Sequence, residues 1–528
     1  MLIKESHVVV SSFVLIAIVM VIAGVQMEQE INWPGLVVIL LFYALIFFVG
    51  IWAARRSRDD HSEDFLLAGR KLPLWIAMLT MAATWLGGGY INGTAEAAAH
   101  YGLVWAQAPW GYGLSLILGG LFFARKMRRH RFRTMLDPLS QRFGDKSTGL
   151  FFLPALLGEI FWIAAILTAL GTTFSVIIGF DTQFAIVCSA IIAVLYTFVG
   201  GLWAVAFTDV IQLLLIVLGL FLVIPFLYDE TQSFGVVWNQ YTAKFGSNAY
   251  PIPNLKAMGL HFWNWLDMAF LLIFGGIPWQ VYFQRVLASK NENQAMWLSI
   301  LAGFICLVVA IPAGMIGVVS TVTEWSDLGL TGPDNYASTL PYAINHLTPL
   351  TIALLGLGAI SAAVMSSIDS SMLSASTMAI WNVYKPLLNP KMDDKKLNEL
   401  VRKSLIIICI SATLLSLKIE SVYALWYLCG DFVYCLLFPA LTVALFDPKA
   451  NRVGVLSGFF VSLILRFGGG DATLGLPIIL PYPMIEEGVV LFPFRSLSMI
   501  SGLLTMIVIS RMTQKINPPS PLIPIGSS

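Results

Sequence analysis

The densest run of hard-oxygen chemistry in the sequence is Ser361-Ala-Ala-Val-Met-Ser366-Ser367-Ile-Asp369-Ser370-Ser371-Met-Leu-Ser374-Ala-Ser376, set inside an otherwise apolar stretch. On a helix, spacings of three and four put Ser366, Asp369 and Ser370 on one face, with Ser367, Ser371 and Ser374 beside it. Small residues also let membrane helices approach closely, so packing alone explains part of the run. Asp369 points further, because a carboxylate near mid-membrane costs about 2.5–3.5 kcal/mol on insertion scales unless it faces a cavity, a partner or an ion. Hard cations take oxygen ligands, and hydroxyls with backbone carbonyls supply them. Asp209, in Thr208-Asp209-Val-Ile-Gln212, is a second carboxylate in apolar surroundings, either an ion ligand or the partner of a basic residue. Glu159, Asp267 and Asp431 are placed similarly and read as helix-contact or gating residues.

The aromatic residues divide into two classes. Trp33, Trp238, Trp263, Trp325 and Trp381 suit membrane interfaces, where Trp and Tyr gather. Four others do not: Trp85 and Trp279 lie at two glycine-marked helix breaks, Trp162 lies mid-span in Gly158-Glu-Ile-Phe-Trp162 and Trp426 lies in Tyr423-Ala-Leu-Trp426-Tyr427, and Tyr112 joins them. Aromatic faces attract a permanent cation without needing a hydrogen bond, each desolvated contact contributing about 2 kcal/mol. Several together would cage a methylated ammonium group.

Such residues need helices to hold them. AVILMFWYC residues make up 58% of the chain, glycine not counted, whereas a soluble domain reaches about 45–50% with glycine included. Apolar stretches long enough to cross a bilayer recur throughout. They predict thirteen spans near 34–54, 72–95, 103–123, 148–178, 183–199, 203–226, 260–282, 295–320, 346–380, 403–418, 421–446, 453–466 and 495–511. Loops carrying Arg55, Arg70, Arg125, Arg128, Arg285, Lys290, Lys385, Lys403 and Arg452 alternate with segments carrying Asp229, Glu324 and Glu486. The positive-inside rule turns the basic set to the cytoplasm and predicts a cytoplasmic C-terminus.

Two spans are interrupted at comparable depth, one by Gly87-Gly88-Gly89 and the other by Gly275-Gly276-Ile277-Pro278. Paired breaks of this kind mark midplane binding sites in transporters built from inverted repeats. The expected fold class is therefore an all-α polytopic membrane protein of two inverted five-helix repeats with flanking helices. The expected division is an extra N-terminal hydrophobic segment over 1–32, a first flanking helix and cytoplasmic loop over 33–71, and a first repeat over 72–226. An extracellular loop (227–259), a second repeat (260–446), two C-terminal flanking helices (447–512) and a short tail (513–528) complete it. The apolar run 8–25 reads as a cleaved signal peptide or an additional span.

Other classes are disfavoured. With 31 basic and 30 acidic residues, no global charge points to nucleic acid. The basic cluster at 125–133 follows from topology, with binding of anionic membrane lipid as an extra role. Five cysteines inside expected spans, without a CxxC pair, predict neither a disulfide framework nor a zinc site. The six histidines show no HExxH spacing, and no nucleophile has an evident base, so an enzyme is not expected.

The stretches Ala82-Ala-Thr-Trp-Leu-Gly-Gly-Gly-Tyr-Ile-Asn-Gly-Thr-Ala-Glu-Ala, Trp105-Ala-Gln-Ala-Pro, Thr134-Met-Leu-Asp-Pro, Leu195-Tyr-Thr-Phe-Val-Gly-Gly, Gly275-Gly-Ile-Pro-Trp-Gln-Val-Tyr-Phe-Gln-Arg-Val and Leu425-Trp-Tyr-Leu, with Ser361 to Ser376, resemble the sodium/solute symporter family and its choline carriers in particular. The resemblance covers about residues 33 to 512. It implies sodium (Na+) coupling, chloride (Cl-) dependence, choline as the cargo and supply of acetylcholine synthesis. It also implies residence in the plasma membrane, including presynaptic membrane and vesicles, and it leaves a homo-oligomer open. The family's choline cage falls on Trp85, Tyr112, Trp162, Trp279 and Trp426. Its common sodium site falls on the carbonyls of Ala82, Trp85 and Ala363 and the hydroxyls of Ser366 and Ser367. A second sodium site found in some relatives would fall on Ser366, Asp369, Ser370 and Asp209, although Asp369 stands where those relatives carry a hydroxyl. The chain departs from the family pattern in its N-terminal run and in stopping at Ser528 without a long tail. The alternative cargo within the same fold is a betaine, a sugar or a carboxylate.

Overall fold

The computed structural model describes residues 32–54, 62–179, 181–197, 201–228, 233–419 and 421–525. The apolar run 8–25 lies outside the described residues, as do Asp229 and Glu230.

The principal helices are α1 (Trp33–Ala54), α2 (Leu74–Trp85), α3 (Gly88–His100), α4 (Ala108–Leu118), α5 (Asp145–Ile178), α6 (Thr182–Thr197) and α7 (Leu202–Val223). They continue with α8 (His261–Gly275), α9 (Gln280–Ala288), α10 (Glu292–Val309), α11 (Ile311–Val322), α12 (Leu350–Met378), α13 (Asp394–Ser416), α14 (Val422–Phe432), α15 (Arg452–Gly468) and α16 (Phe494–Thr513). Among the described residues, eight helical stretches are long and apolar enough to cross a membrane, and nine if the bent pair α2–α3 is one span. At the other four expected positions the helices are shorter or carry more charge, as at α4, α6, α13 and α15.

Boundaries differ from expectation for local reasons. The span expected from 346 begins at Leu350, because Pro349 holds an extended backbone and a separate helix, Thr339–Leu347, ends before it. The span expected from 403 begins nine residues earlier, at Asp394, where Asp393 accepts a capping hydrogen bond from Lys396 N at 2.8 Å. The segment 227–259, expected as a loop, contains the helix Phe234–Phe245, whose Tyr241 hydroxyl donates to Ala98 O at 2.6 Å.

The centre of the molecule is formed by α3, α5 and α12. From Ala359 to Met378 every residue of α12 is buried, and so is every residue of α3 from Gly88 to Ala99. Their inward faces are rich in Gly, Ala and Ser, the composition that lets helices pack closely in lipid, where apolar transfer supplies little drive. The serine-rich face of α12 therefore points at other helices and not at the bilayer.

Candidate substrate and ion site

The site is built where the two breaks meet α12. Helix α2 stops at Trp85 and α3 starts at Gly88, bent by 46°. Leu86 N closes α2 by donating to Ala82 O at 2.9 Å. Glycine is required at this break by close approach: a Cβ on Gly87 would lie 2.1 Å from Ser367 Oγ, and one on Gly89 would lie 2.8 Å from Trp426 Cδ1. The second break separates α8 from α9. Pro278 brings no N–H to continue the helix. Trp279 is extended (φ −112°, ψ 133°) and its Nε1 donates to Gly275 O at 2.6 Å, which fixes its indole across the break.

All five aromatic residues singled out from the sequence line one cavity: Trp85 from α2, Tyr112 from α4, Trp162 from α5, Trp279 from the second break and Trp426 from α14. Ring centroids lie 6.3 Å apart for Trp85 and Tyr112, 5.8 Å for Trp85 and Trp162, 5.2 Å for Trp162 and Trp279, and 4.5 Å for Tyr112 and Trp426. Each pair meets edge to face, the arrangement favoured by ring quadrupoles. The cavity between them measures about 10 Å³, close to what a single water needs. A trimethylammonium group is larger, so the rings must part to admit one. Trp85 Nε1 is buried and has no hydrogen-bond partner among the described residues. A wider cavity of about 800 Å³, lined by Tyr101, Trp105, His261, Tyr423, Tyr427 and Glu486 among others, lies beside the cage, with Tyr427 in ring contact with Trp426.

Below the cage, Ser366 and Ser367 face the end of α2. Ser366 Oγ donates to Ala83 O at 2.8 Å or Ala363 O at 2.9 Å, and Ser367 Oγ to Thr84 O at 2.7 Å or Ala363 O at 3.2 Å. The hydroxyls and Ala363 are thus brought together with the α2 terminus, but they reach the carbonyls of Ala83 and Thr84 and not those of Ala82 and Trp85. Ala82 O is taken by Leu86 N. Trp85 closes α2, where carbonyls run out of helical partners. Converging hydroxyl and carbonyl oxygens fit a hard monovalent cation.

The set Asp209, Asp369 and Ser370 gathers around a residue that the sequence reading placed elsewhere. Arg285, which the positive-inside rule places among the cytoplasmic loop charges, is instead fully buried on α9. Its Nη2 lies 3.4 Å from Asp209 Oδ2, donates to Thr84 Oγ1 at 3.0 Å and makes a short hydrogen bond to Ser370 Oγ. Thr80 donates to the same Asp209 oxygen. Ser370 Oγ also approaches Asp369 Oδ1 at 3.3 Å. The signal for this burial was present: Val286, Leu287 and Ala288 carry the apolar stretch one turn past the predicted end at 282. Thr80 and Thr84 were missed because single threonines in a span ordinarily bond back to their own helix.

The other carboxylates make helix contacts. Glu159 accepts from Ser371, joining α5 to α12. Asp431 pairs with Arg466 and Arg495, and Asp267 accepts from the backbone of Arg495 and Ser496.

Known proteins share both the sequence and the architecture. High-affinity choline transporter 1 of Drosophila melanogaster is 45% identical over 494 residues, covering 92% of this chain and 79% of that protein. The Homo sapiens protein named high affinity choline transporter 1 is 45% identical over 498 residues, covering 91% and 85%. A solved Na+-coupled sialic acid symporter in a substrate-bound outward-open state superposes with a TM-score of 0.75 at 19% identity, covering 93% of this chain and 99% of that one. That likeness shows the fold: two inverted five-helix repeats with flanking helices, an arrangement of multi-pass membrane transporters. The sequence pattern of the Sodium:solute symporter family matches residues 65–462, a stretch that contains both breaks, the aromatic cage and the serine face of α12, and the chain belongs to that family.

Proposed function

We propose that this chain carries choline into the cell together with sodium by alternating access across the plasma membrane. The observation that carries the reading is the convergence of Trp85, Tyr112, Trp162, Trp279 and Trp426 on one cavity, with no carboxylate or cationic side chain among its lining residues. A permanent cation is attracted by such a box, while a sugar would need several hydrogen-bonding side chains. Trp85 Nε1, without a hydrogen-bond partner among the described residues, gives the cage one donor that suits the single hydroxyl of choline. The relatives at 45% identity bear the name of choline transporters, which supports the same cargo.

Sodium is assigned to Ser366 and Ser367 with the carbonyls of Ala363 and the α2 terminus. An ion there ties α12 to α2 one residue from Trp85, steadying the broken backbone in the conformation that receives choline from the 800 Å³ vestibule. Closure then moves one repeat against the other and opens the opposite side. The proposal extends to thirteen spans, the repeat boundaries at 72–226 and 260–446, a chloride requirement for which no ligands are assigned, and supply of choline for acetylcholine synthesis.

The test is ion-substituted uptake of labelled choline by the intact chain and by Trp85→Ala and Trp279→Ala. Replacing sodium by an organic cation abolishes uptake, and each lost ring weakens choline by about 2 kcal/mol, about thirty-fold. Undiminished uptake without sodium, or full affinity in both variants, would overturn the reading.

A further inference from the structure

Arg285 lies against Asp209 and Ser370, residues on which the family resemblance places a second sodium. Its Nη2 engages Ser370 Oγ and Thr84 Oγ1 and lies against Asp209 Oδ2. A carboxylate and hydroxyls are the ligand types a hard monovalent cation takes. Arg285 and Asp209 are both fully buried, and a guanidinium remains charged at any physiological pH. Ser370 Oγ in turn donates to Ser366 O at 2.9 Å, so a single hydroxyl separates the guanidinium from the helical turn assigned to the first sodium.

Two observations separate this group from an ordinary structural ion pair. Asp209 Oδ1 and Arg285 Nε have no hydrogen-bond partner among the described residues, and neither polar atom of Gln212, one turn along α7 from Asp209, has one. Buried pairs kept for structure alone are normally satisfied at both partners. Asp369 and Glu159 also lie within electrostatic reach of the same guanidinium as Asp209. The cation that faces Asp209 is covalently part of α9, the helix whose N-terminal cap is the cage residue Trp279.

We propose that Arg285 is a tethered cation that takes the place of a second sodium between Asp209 and Ser370. It leaves the chain with one sodium site, at Ser366 and Ser367, and it ties the charge state of that pocket to the helix carrying Trp279. The inference rests on the sodium reading of Ser366 and Ser367. A free ion and the guanidinium exclude each other, because they need the same oxygens and repel at that distance.

The test is the sodium dependence of choline uptake in proteoliposomes, with the sodium-dependent thermal midpoint of the purified full chain as a readout that needs no transport. The Hill coefficient, bounded by the number of coupled sites, is about 1 in the unmodified protein and stays there in Asp209→Asn. In Arg285→Gln the uncompensated Asp209 recruits a free ion and the coefficient rises toward about 2; in the double variant Arg285→Gln/Asp209→Asn it returns to about 1. A coefficient of about 2 in the unmodified protein that falls in Asp209→Asn overturns the proposal, as does a folded Arg285→Gln that keeps a coefficient of about 1. Should Arg285→Gln fail to fold, the Asp209→Asn arm decides. Ser367→Ala reports separately on the first site: an intact sodium response in that variant overturns the site reading itself, whereas its loss, alongside a coefficient lowered by Asp209→Asn, overturns only the role of Arg285.

Discussion

Two buried charge clusters hold the two halves of the broken helix, and they are built differently. At α8, Asp267 accepts from Ser496 N at 2.7 Å and Arg495 N at 3.2 Å, capping the start of α16 from another helix. Asp431 accepts from Arg466 Nε at 2.6 Å and Arg495 Nε at 2.9 Å, and Arg466 also reaches Asp471 at 2.8 Å and Gly470 O at 3.0 Å. Both oxygens of Asp267 and of Asp431 are engaged. At α9, one guanidinium faces Asp209 at 3.4 Å, and Asp209 Oδ1, Arg285 Nε and the Gln212 amide are left without partners among the described residues. A satisfied network rigidifies what it joins, whereas each unsatisfied polar atom in a partly satisfied one costs free energy. The first cluster therefore ties α8, α14, α15 and α16 together, and the second joins its helices through fewer bonds.

The contrast is broken most directly by removing a charge from each side. Arg466→Gln leaves Asp431 and Asp471 short of their partner in a buried place, and is expected to cost about 3–5 kcal/mol, read as the thermal unfolding midpoint in detergent. A loss below about 1 kcal/mol would erase the distinction. Asp209→Asn strands the buried Arg285 guanidinium and is expected to fall at the lower end of that range, about 3 kcal/mol by the same measurement, because the pair is a single contact at 3.4 Å and asparagine still accepts from Thr80 and Thr84. A penalty equal to that of Arg466→Gln would make the two clusters alike. Ser371→Ala removes the hydroxyl that donates to Glu159 and should cost about 1 kcal/mol. Lys403→Ala, at an exposed pair with Glu399, should leave the midpoint unchanged and so sets the floor of the series.

The convergence of the four tryptophans was legible in the sequence because each breaks a local rule. Trp85 and Trp279 sit at glycine-marked breaks, and Trp162 and Trp426 lie inside spans where interfacial placement does not account for them. The serine pair was legible for a similar reason, since Asp369 makes the face of α12 too costly to be packing alone. Which carbonyls Ser366 and Ser367 reach was not legible: the choice of Ala83 and Thr84 depends on how α12 rotates against α2, and residues 283 positions apart carry no local mark of it. Arg285 was misplaced because the expected span stopped at 282, short of Val286, Leu287 and Ala288, and its partner Asp209, 76 residues away, leaves no local mark.

Apolar length, helix-breaking glycines and the cost of intramembrane charge are properties of short stretches, so the class of protein, the order of its spans and the residue types of its centre are written in local sequence. Pairing is not local. Arg285 meets Asp209 across 76 residues, and Arg495 meets Asp431 across 64. Which buried carboxylate is satisfied and which is left open was decided only when the helices packed, because that depends on where distant side chains arrive and not on the spacing along any one of them.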